Sequence, residues 1–357
     1  MMKSLGKFPD PFIAEISGQP DALRRAQHRL RDQDATLRAI GGSGARRHVV
    51  LTGMGSSYDA CYPAVTELAR AGIPATMLDA AELLHFRTGI LGSDALLVAV
   101  SQSGESAEVV RVAEHVRNGP SSPVVVAVTN GTENSLARLA DEVLDTAAGP
   151  ETGPSTMTFA ASLVTVAALG RVLTGADASA VVAGLEGGVE AAAVATELLL
   201  ADEALADELA DWFGEPSTAV ILGRGPARAA SEMGALTVKE AVGIPIESLQ
   251  TAQFRHGPLE LVGPGLAAIV IATEPETLEI DLGLTRELAD AGARVLLVAT
   301  DAYDMPGART IATGPLDRAL APAVSIVPIQ LLAWRLAARH GREPGAYYRA
   351  SKVTTHE

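Results

Sequence analysis

The sequence predicts an α/β protein built from two doubly wound parallel sheets in tandem, and three observations carry that reading. Short β-branched runs alternate with longer Ala/Leu-rich stretches of helical period. A strand, a G-x-G turn and a helix of small residues occur twice, at Gly53-Met54-Gly55 and again 170 residues later at Gly223-Arg224-Gly225. The 357 residues suit about two domains of ordinary size, and 48% hydrophobic content is too high for a disordered chain. With only 4% aromatic residues, the core must be Ala, Val, Leu and Ile.

In the first half, His48–Thr52, Ala75–Leu78, Ala95–Val100 and Val124–Val128 read as buried strands. Tyr58, Cys61, Val65 and Leu68 share one helical face between the first two. Glu105–Val116 reads as the crossover helix between the third and fourth strands, and Ser155–Leu173 as a long closing helix. The second half repeats the pattern. Ala219–Leu222, Leu266–Ile271 and Val295–Thr300 are strands, Ala227–Val242 and Thr277–Ala291 are helices, and Ala321–His340 is a last long helix. We read this as an internal duplication of one flavodoxin-like domain. The joint falls in the acidic, Ala-rich stretch Ala176–Asp211, whose charges form a solvated helix face.

Composition removes several function classes. The 28 Lys+Arg against 43 Asp+Glu give a net charge of −15, a poor surface for nucleic acid. One cysteine excludes a disulfide framework or a Cys-rich zinc site, and the seven histidines contain no pair at i, i+2 or i, i+4, so no metal is expected. The start, MMKSLGKFPDPF, has no signal-peptide core. No apolar run reads as long enough to span a bilayer; the best, Val324–Ala333, contains Pro328 and meets Arg335. The expectation is a soluble, cytoplasmic, acidic protein without nucleic-acid or membrane partners. If such a chain binds an anion, it must do so with a local device.

The Gly-rich turns do not complete a dinucleotide fingerprint. Asp79 stands where a ribose-binding acid would, but Tyr58 and Arg228 fill the place of the third glycine and prevent the close helix–strand approach. Both read as tight turns. The hydroxyls of the first half say more. Ser56 and Ser57 follow the first strand and Ser101-Gln102-Ser103-Gly104-Glu105-Ser106 the third, at the carboxyl ends where open α/β sheets bind ligands. Ser101, Ser103 and Ser106 can donate to an anion beside a helix N-terminus, and Gly104 permits close backbone approach. No lysine follows, so this is no triphosphate loop; it suits one phosphate monoester. The bland alternative is a serine-rich N-cap, for which one hydroxyl suffices.

SQSGES and the duplicated fold resemble the sugar isomerase (SIS) domain family of phosphosugar-binding proteins. GSSYDA, SQSGES, ETGPSTMTF at Glu151–Phe159, Lys239-Glu240, FRHGPLELV at Phe254–Val262 and the terminal ASKVTTHE occur together and in order. That set resembles the isomerase half of the glutamine–fructose-6-phosphate aminotransferases over nearly the whole chain, from Phe12–Leu23 onward. The chain begins Met1-Met2-Lys3 with no N-terminal cysteine nucleophile, so ammonia release from glutamine is not expected. Cys61, in an Ala-rich helix, reads as core.

The resemblance implies roles residue by residue. Ser101, Gln102, Ser103 and Ser106 hold the sugar phosphate, Ser56 and Ser57 contact the sugar, and Ser155 lies near its hydroxyls. Glu240 is the base moving a proton between C1 and C2, His256 assists ring opening from a neighbouring subunit, and Lys352 forms a Schiff base with a ketose carbonyl. A proton shift between adjacent carbons does need a carboxylate over both. Read without the resemblance, Glu240 is a solvent-facing helix charge and Lys352 part of a frayed tail. His256, followed by Gly-Pro, is a loop residue, and Arg255 beside it would favour the neutral imidazole.

The chain departs from the family in two lysines: Thr237 stands three residues before Glu240, Met157 follows Ser155-Thr156, and the loop from Gly149 to Phe159 is one residue short. A cation lost one turn from the base alters its environment and points away from glucosamine-6-phosphate synthesis. The expectation is therefore a homodimeric enzyme with no metal or organic cofactor that works at C1/C2 of a hexose or hexosamine 6-phosphate. Its reaction is isomerisation coupled to deamination or deglycation, or ammonia-dependent amination. A non-catalytic sugar-phosphate sensor would use the same pocket without Lys352. The expected divisions are an N-terminal arm over 1–30, SIS domains over 31–190 and 191–342, and an active-site tail over 343–357.

Overall fold

The computed structural model describes residues 10–42, 48–120 and 123–356. The first nine residues of the expected arm and the last of the expected tail lie outside them. The chain opens with helices α1 (Pro11–Ser17), α2 (Gln19–Asp32) and α3 (Asp34–Gly42). Then come β1 (His48–Gly53), α4 (Ser56–Asp59), α5 (Tyr62–Arg70), β2 (Ala75–Asp79), α6 (Ala80–Phe86), β3 (Ala95–Val100) and α7 (Ala107–Asn118). The first half continues with β4 (Val124–Thr129), α8 (Ser135–Leu139), β5 (Glu142–Asp145) and α9 (Met157–Leu173). Helices α10 (Ala178–Ala201) and α11 (Leu205–Phe213) lead to β6 (Thr218–Gly223), α12 (Arg228–Val242), β7 (Glu247–Gln250), α13 (Thr251–Phe254) and β8 (Leu266–Ala272). The chain closes with α14 (Leu278–Asp290), β9 (Arg294–Ala299), β10 (Ala308–Ala312), α15 (Ala321–Ser325) and α16 (Val327–Arg339).

Two compact units result. The first-sheet unit holds Asp21–Glu151, Ser155–Glu190 and Arg349–Glu357; the second-sheet unit holds Met1–Pro20, Thr152–Pro154 and Ala191–Tyr348. The first sheet runs β2-β1-β3-β4-β5 and the second β10-β9-β8-β6-β7, with every neighbouring pair parallel. Counted within its own unit, each sheet has the order 2-1-3-4-5, the flavodoxin-like arrangement, with its switch point between the first and third strands. The duplication is thus a duplication of topology. The central strands are buried on both faces, as helix-covered parallel strands must be: every residue of Ala95–Val100 and of Leu266–Ala272 is inaccessible.

Departures from the sequence reading have local causes. The edge strands β5, β7 and β10 are not apparent in the hydrophobic pattern, because four or five half-buried, mixed residues carry no β-branched run. The single helix expected through Tyr58–Leu68 is two, broken ahead of Pro63 at the start of α5. The last long helix also divides, at Ile326, with Pro328 opening α16. Asp79 is an N-cap: its carboxylate accepts the Glu82 N–H at 2.9 Å, which accounts for its place after β2.

The expectation that no segment is long enough to cross a bilayer needs correction. Ala178–Ala201 and Ala321–Arg339 are both long and apolar enough by length and composition, since alanine raises mean hydropathy without forming an aliphatic run. Most of Ala321–Arg339 is buried inside the protein. On α10, Glu190 and Glu186 reach Arg24 and Arg31 of α2, both at 2.8 Å, so its acidic face is ion-paired as well as solvated.

Candidate functional site

The first-sheet switch point begins at the turn after β1. A side chain at Gly53 would bring its Cβ within 2.9 Å of the Tyr58 nitrogen and the Val100 carbonyl, and Gly55 sits at φ +51°. This tight turn places Ser56 and Ser57 on the first residues of α4. Ser57 is buried and its hydroxyl accepts the Gln102 N–H at 3.3 Å, tying the first hydroxyl cluster to the second. Ser56 donates to the Ser155 hydroxyl at 2.9 Å.

The second cluster is a folded loop between β3 and α7. The Ser101 hydroxyl accepts the Gly104 N–H at 3.2 Å and lies 3.1 Å from the Ser106 hydroxyl. Gly104 has φ +64°, and a Cβ there would lie 2.0 Å from Oδ1 of Asn134, which is itself the N-cap of α8. Ser103 accepts the Glu105 N–H at 3.1 Å. The Glu105 carboxylate accepts the Ser135 N–H at 2.8 Å, and its bonds from Ser135 hold its carboxyl below the ordinary range. The loop's one carboxylate is therefore occupied by α8.

Ser106 is the N-cap residue of α7, yet its hydroxyl makes no capping bond and stays with Ser101. The serines do not serve the helix end in the way a plain cap would. Hydroxyls gathered at the start of a helix, where the dipole favours negative charge, form a chemically suitable cradle for a single anionic group.

The C-terminal tail reaches this loop. The Ala107 N–H, in the first turn of α7, donates to the Thr354 carbonyl at 3.1 Å. Two residues earlier, Lys352 Nζ lies 2.7 Å from Glu151 Oε2, with the lysine side chain 19% exposed and the glutamate side chain fully buried. Glu151 also accepts the N–H and hydroxyl of Thr156, at 2.8 and 2.9 Å, and those of Thr158, at 3.1 and 2.5 Å. Sequence reasoning gives Glu151 no role. The available signal is its place ahead of the hydroxyl-bearing start of α9, in the segment ETGPSTMTF.

The structure thus brings Ser56, Ser57, Ser101, Gln102, Ser103, Ser106, Ser155 and Lys352 into one unit. Glu240 and His256 belong to the second-sheet unit. Glu240 is half-buried near the end of α12; Thr237, one turn earlier, is buried. His256 is exposed in the turn between α13 and Pro258, ahead of Gly257 at φ +121°. Arg255, beside it, is ion-paired with Glu287 at 2.7 Å. Among the described residues no group of three or more His, Cys, Asp or Glu could hold a metal ion.

Strand register aligns the two copies. Thr52 pairs with Ala99, and Leu222, also just before its glycine, pairs with Val270. The serines Ser101, Ser103 and Ser106 then correspond to Ala272, Glu274 and Thr277. Glu274 is buried and meets Arg318 at 3.0 Å, and Arg318 also meets Glu276. Thr277 donates to Asp281, which is buried against Arg224 at 2.6 Å.

The profile of the SIS domain matches residues 44–171 and again 214–338. The chain belongs to the SIS domain family. Each match covers one of the two sheets, so the duplicated topology is two SIS domains in tandem. The glutamine–fructose-6-phosphate aminotransferase [isomerizing] of Aeropyrum pernix is 32% identical over 366 residues, covering 98% of this chain and 58% of that enzyme. The chain thus spans well under two thirds of its relative. The C-terminal domain of glucosamine-fructose-6-phosphate aminotransferase from Francisella tularensis superposes with TM-score 0.84 at 23% identity, over 96% of this chain and 99% of that one. Tagatose-6-phosphate ketose/aldose isomerase from Escherichia coli gives TM-score 0.79 at 20% identity, over 97% and 96%. These two structural likenesses show a common fold.

Proposed function

We propose that this SIS protein is a cytoplasmic, homodimeric enzyme acting at C1/C2 of a hexose or hexosamine 6-phosphate. The reaction is aldose–ketose isomerisation coupled to loss of an amine, or its ammonia-dependent reverse. The observation that carries the reading is the SQSGES loop, whose Ser101 and Ser106 hydroxyls meet at the start of α7 instead of capping it. It explains how a chain of net charge −15 holds a phosphate: by neutral donors and a helix terminus. The relatives' names, an isomerising aminotransferase and a ketose/aldose isomerase, support chemistry at adjacent carbons of a sugar phosphate.

In this reading Ser101, Gln102, Ser103 and Ser106 hold the phosphate, and Ser56, Ser57 and Ser155 face the sugar. Glu240 moves the proton between C1 and C2, and His256, supplied by the neighbouring subunit, assists ring opening. Lys352 forms the Schiff base; its amine must leave Glu151 as a free base to attack the carbonyl, releasing water as the imine forms. That the tail is docked rather than frayed supports its membership of the site. Thr237 and Met157, where the relatives' pattern has lysine, support an amine-releasing rather than a synthetic direction.

Incubation with glucosamine 6-phosphate and with fructosamine 6-phosphates, assayed for ammonia, free amine and ketose, tests this directly. Turnover of at least one is expected. Binding of these esters with no turnover of any would replace the enzyme by a sugar-phosphate sensor.

A further inference from the structure

We propose that Glu151 is the positioning residue for Lys352, holding the C-terminal tail against the cradle so that the amine is presented at one fixed point. The inference rests on the reading of Lys352 as the reactive amine and concerns what aims it. Residues 349–356 contain no regular element, so nothing intrinsic to the tail orders its lysine. What orders it is a carboxylate with no exposed side-chain surface, aimed by four donors at the start of α9: the N–H and hydroxyl of Thr156 and of Thr158. Such a carboxylate cannot swing to follow a mobile partner. The lysine must come to it, and Lys352 does, at 2.7 Å.

The cost of burying a carboxylate makes a structural accident a poor explanation, since a neutral residue would fill that space without it. Glu151 also leads directly into α9 through Ser155, whose hydroxyl receives the bond from Ser56. The lysine clamp and the sugar-facing serine are therefore carried by the same few residues. The second tail contact, Thr354 carbonyl to Ala107 N–H, fixes the strap to the helix that bears the cradle. Together they register the amine against the phosphate site within one unit.

Two readouts on the intact protein separate this claim from the proposed reaction. The first is competitive labelling of amines with acetic anhydride, quantified by mass spectrometry, using the part-exposed Lys239 as internal reference. Lys352 should label more slowly than Lys239 in the wild type and at least as fast as Lys239 in Glu151→Gln. The second is borohydride trapping with fructose 6-phosphate, in which Glu151→Gln should trap on the order of a hundredfold more slowly, the scale of a mispositioned group. Inhibition by inorganic phosphate should stay within about twofold of the wild type, which a collapse of the site would not allow.

Thr158→Val removes one aiming bond while retaining the carboxylate, and should give a smaller shift in the same direction; it decides the matter if Glu151→Gln does not fold. Unchanged labelling of Lys352 in a folded variant overturns the positioning role, whatever happens to turnover. Altered labelling without any trapping, even in the wild type, keeps the clamp and removes the Schiff-base reading instead.

Discussion

The two SIS copies share one topology and differ at the loop after the third strand. In the first copy that loop carries Ser101, Ser103 and Ser106 and a glycine at φ +64°. In the second, the register-matched positions are Ala272, Glu274 and Thr277, and Pro275 stands in place of the glycine. The first loop turns its one carboxylate, Glu105, toward α8 and leaves hydroxyls at the head of α7. In the second, Glu274 at the Ser103 position and Asp281 in the following helix are buried and answered by Arg318 and Arg224. A helix N-terminus at a switch point is not by itself an anion site; side chains decide whether the end is offered to a ligand or consumed by the protein.

The largest effect on ligand binding should come from breaking the first loop's backbone. Gly104→Ala introduces a Cβ 2.0 Å from Asn134 at a positive φ, and we expect about 1–3 kcal/mol of destabilisation with loss of measurable sugar-phosphate binding. Thermal unfolding with a parallel titration checks this; Pro275→Ala in the second copy should leave affinity unchanged. Next, Arg224→Ala should cost about 3–5 kcal/mol of stability by leaving the Asp281 carboxylate buried without its cation, again with phosphate affinity intact. Urea titration distinguishes it from a cradle mutation.

Asp281 supplies a pH signature for the second loop. Burial, opposed by Arg224, raises its carboxyl above the ordinary value. The folded protein therefore holds that proton more tightly than the unfolded chain, so stability falls as pH rises from the ordinary carboxylate value through the raised one. Asp281→Asn should flatten urea midpoints over that window; an unaltered slope would reassign the pH dependence. The smallest effect belongs to Cys61. Burial, with Asp59 adding to it, pushes its thiol up, and it should resist iodoacetamide in the native protein and react on unfolding.

The contrast between the loops also explains what could be read in the sequence. SQSGES is legible because three hydroxyls and a glycine crowd into six residues, and the buried central strands are legible because they are continuous apolar runs. TEPET, Thr273–Thr277, reads as an ordinary acidic turn, since only tertiary packing brings Arg318, some forty residues later, to Glu274. Glu151 is illegible for the same reason: its lysine partner lies 201 residues away. Edge strands such as Glu247–Gln250 are short and half-buried, so periodicity has too few residues to work on.

The hydroxyl cradle is the feature on which phosphate binding stands or falls. Fructose 6-phosphate and fructose should be titrated calorimetrically into the wild type and into the Ser101→Ala/Ser103→Ala/Ser106→Ala variant. Three lost hydrogen bonds should weaken the phosphate ester by about a hundredfold, at roughly 1 kcal/mol each, and leave the neutral sugar unaffected. A folded variant that binds fructose 6-phosphate as tightly as the wild type, or loses both ligands equally, would contradict the assignment of this loop as the phosphate site.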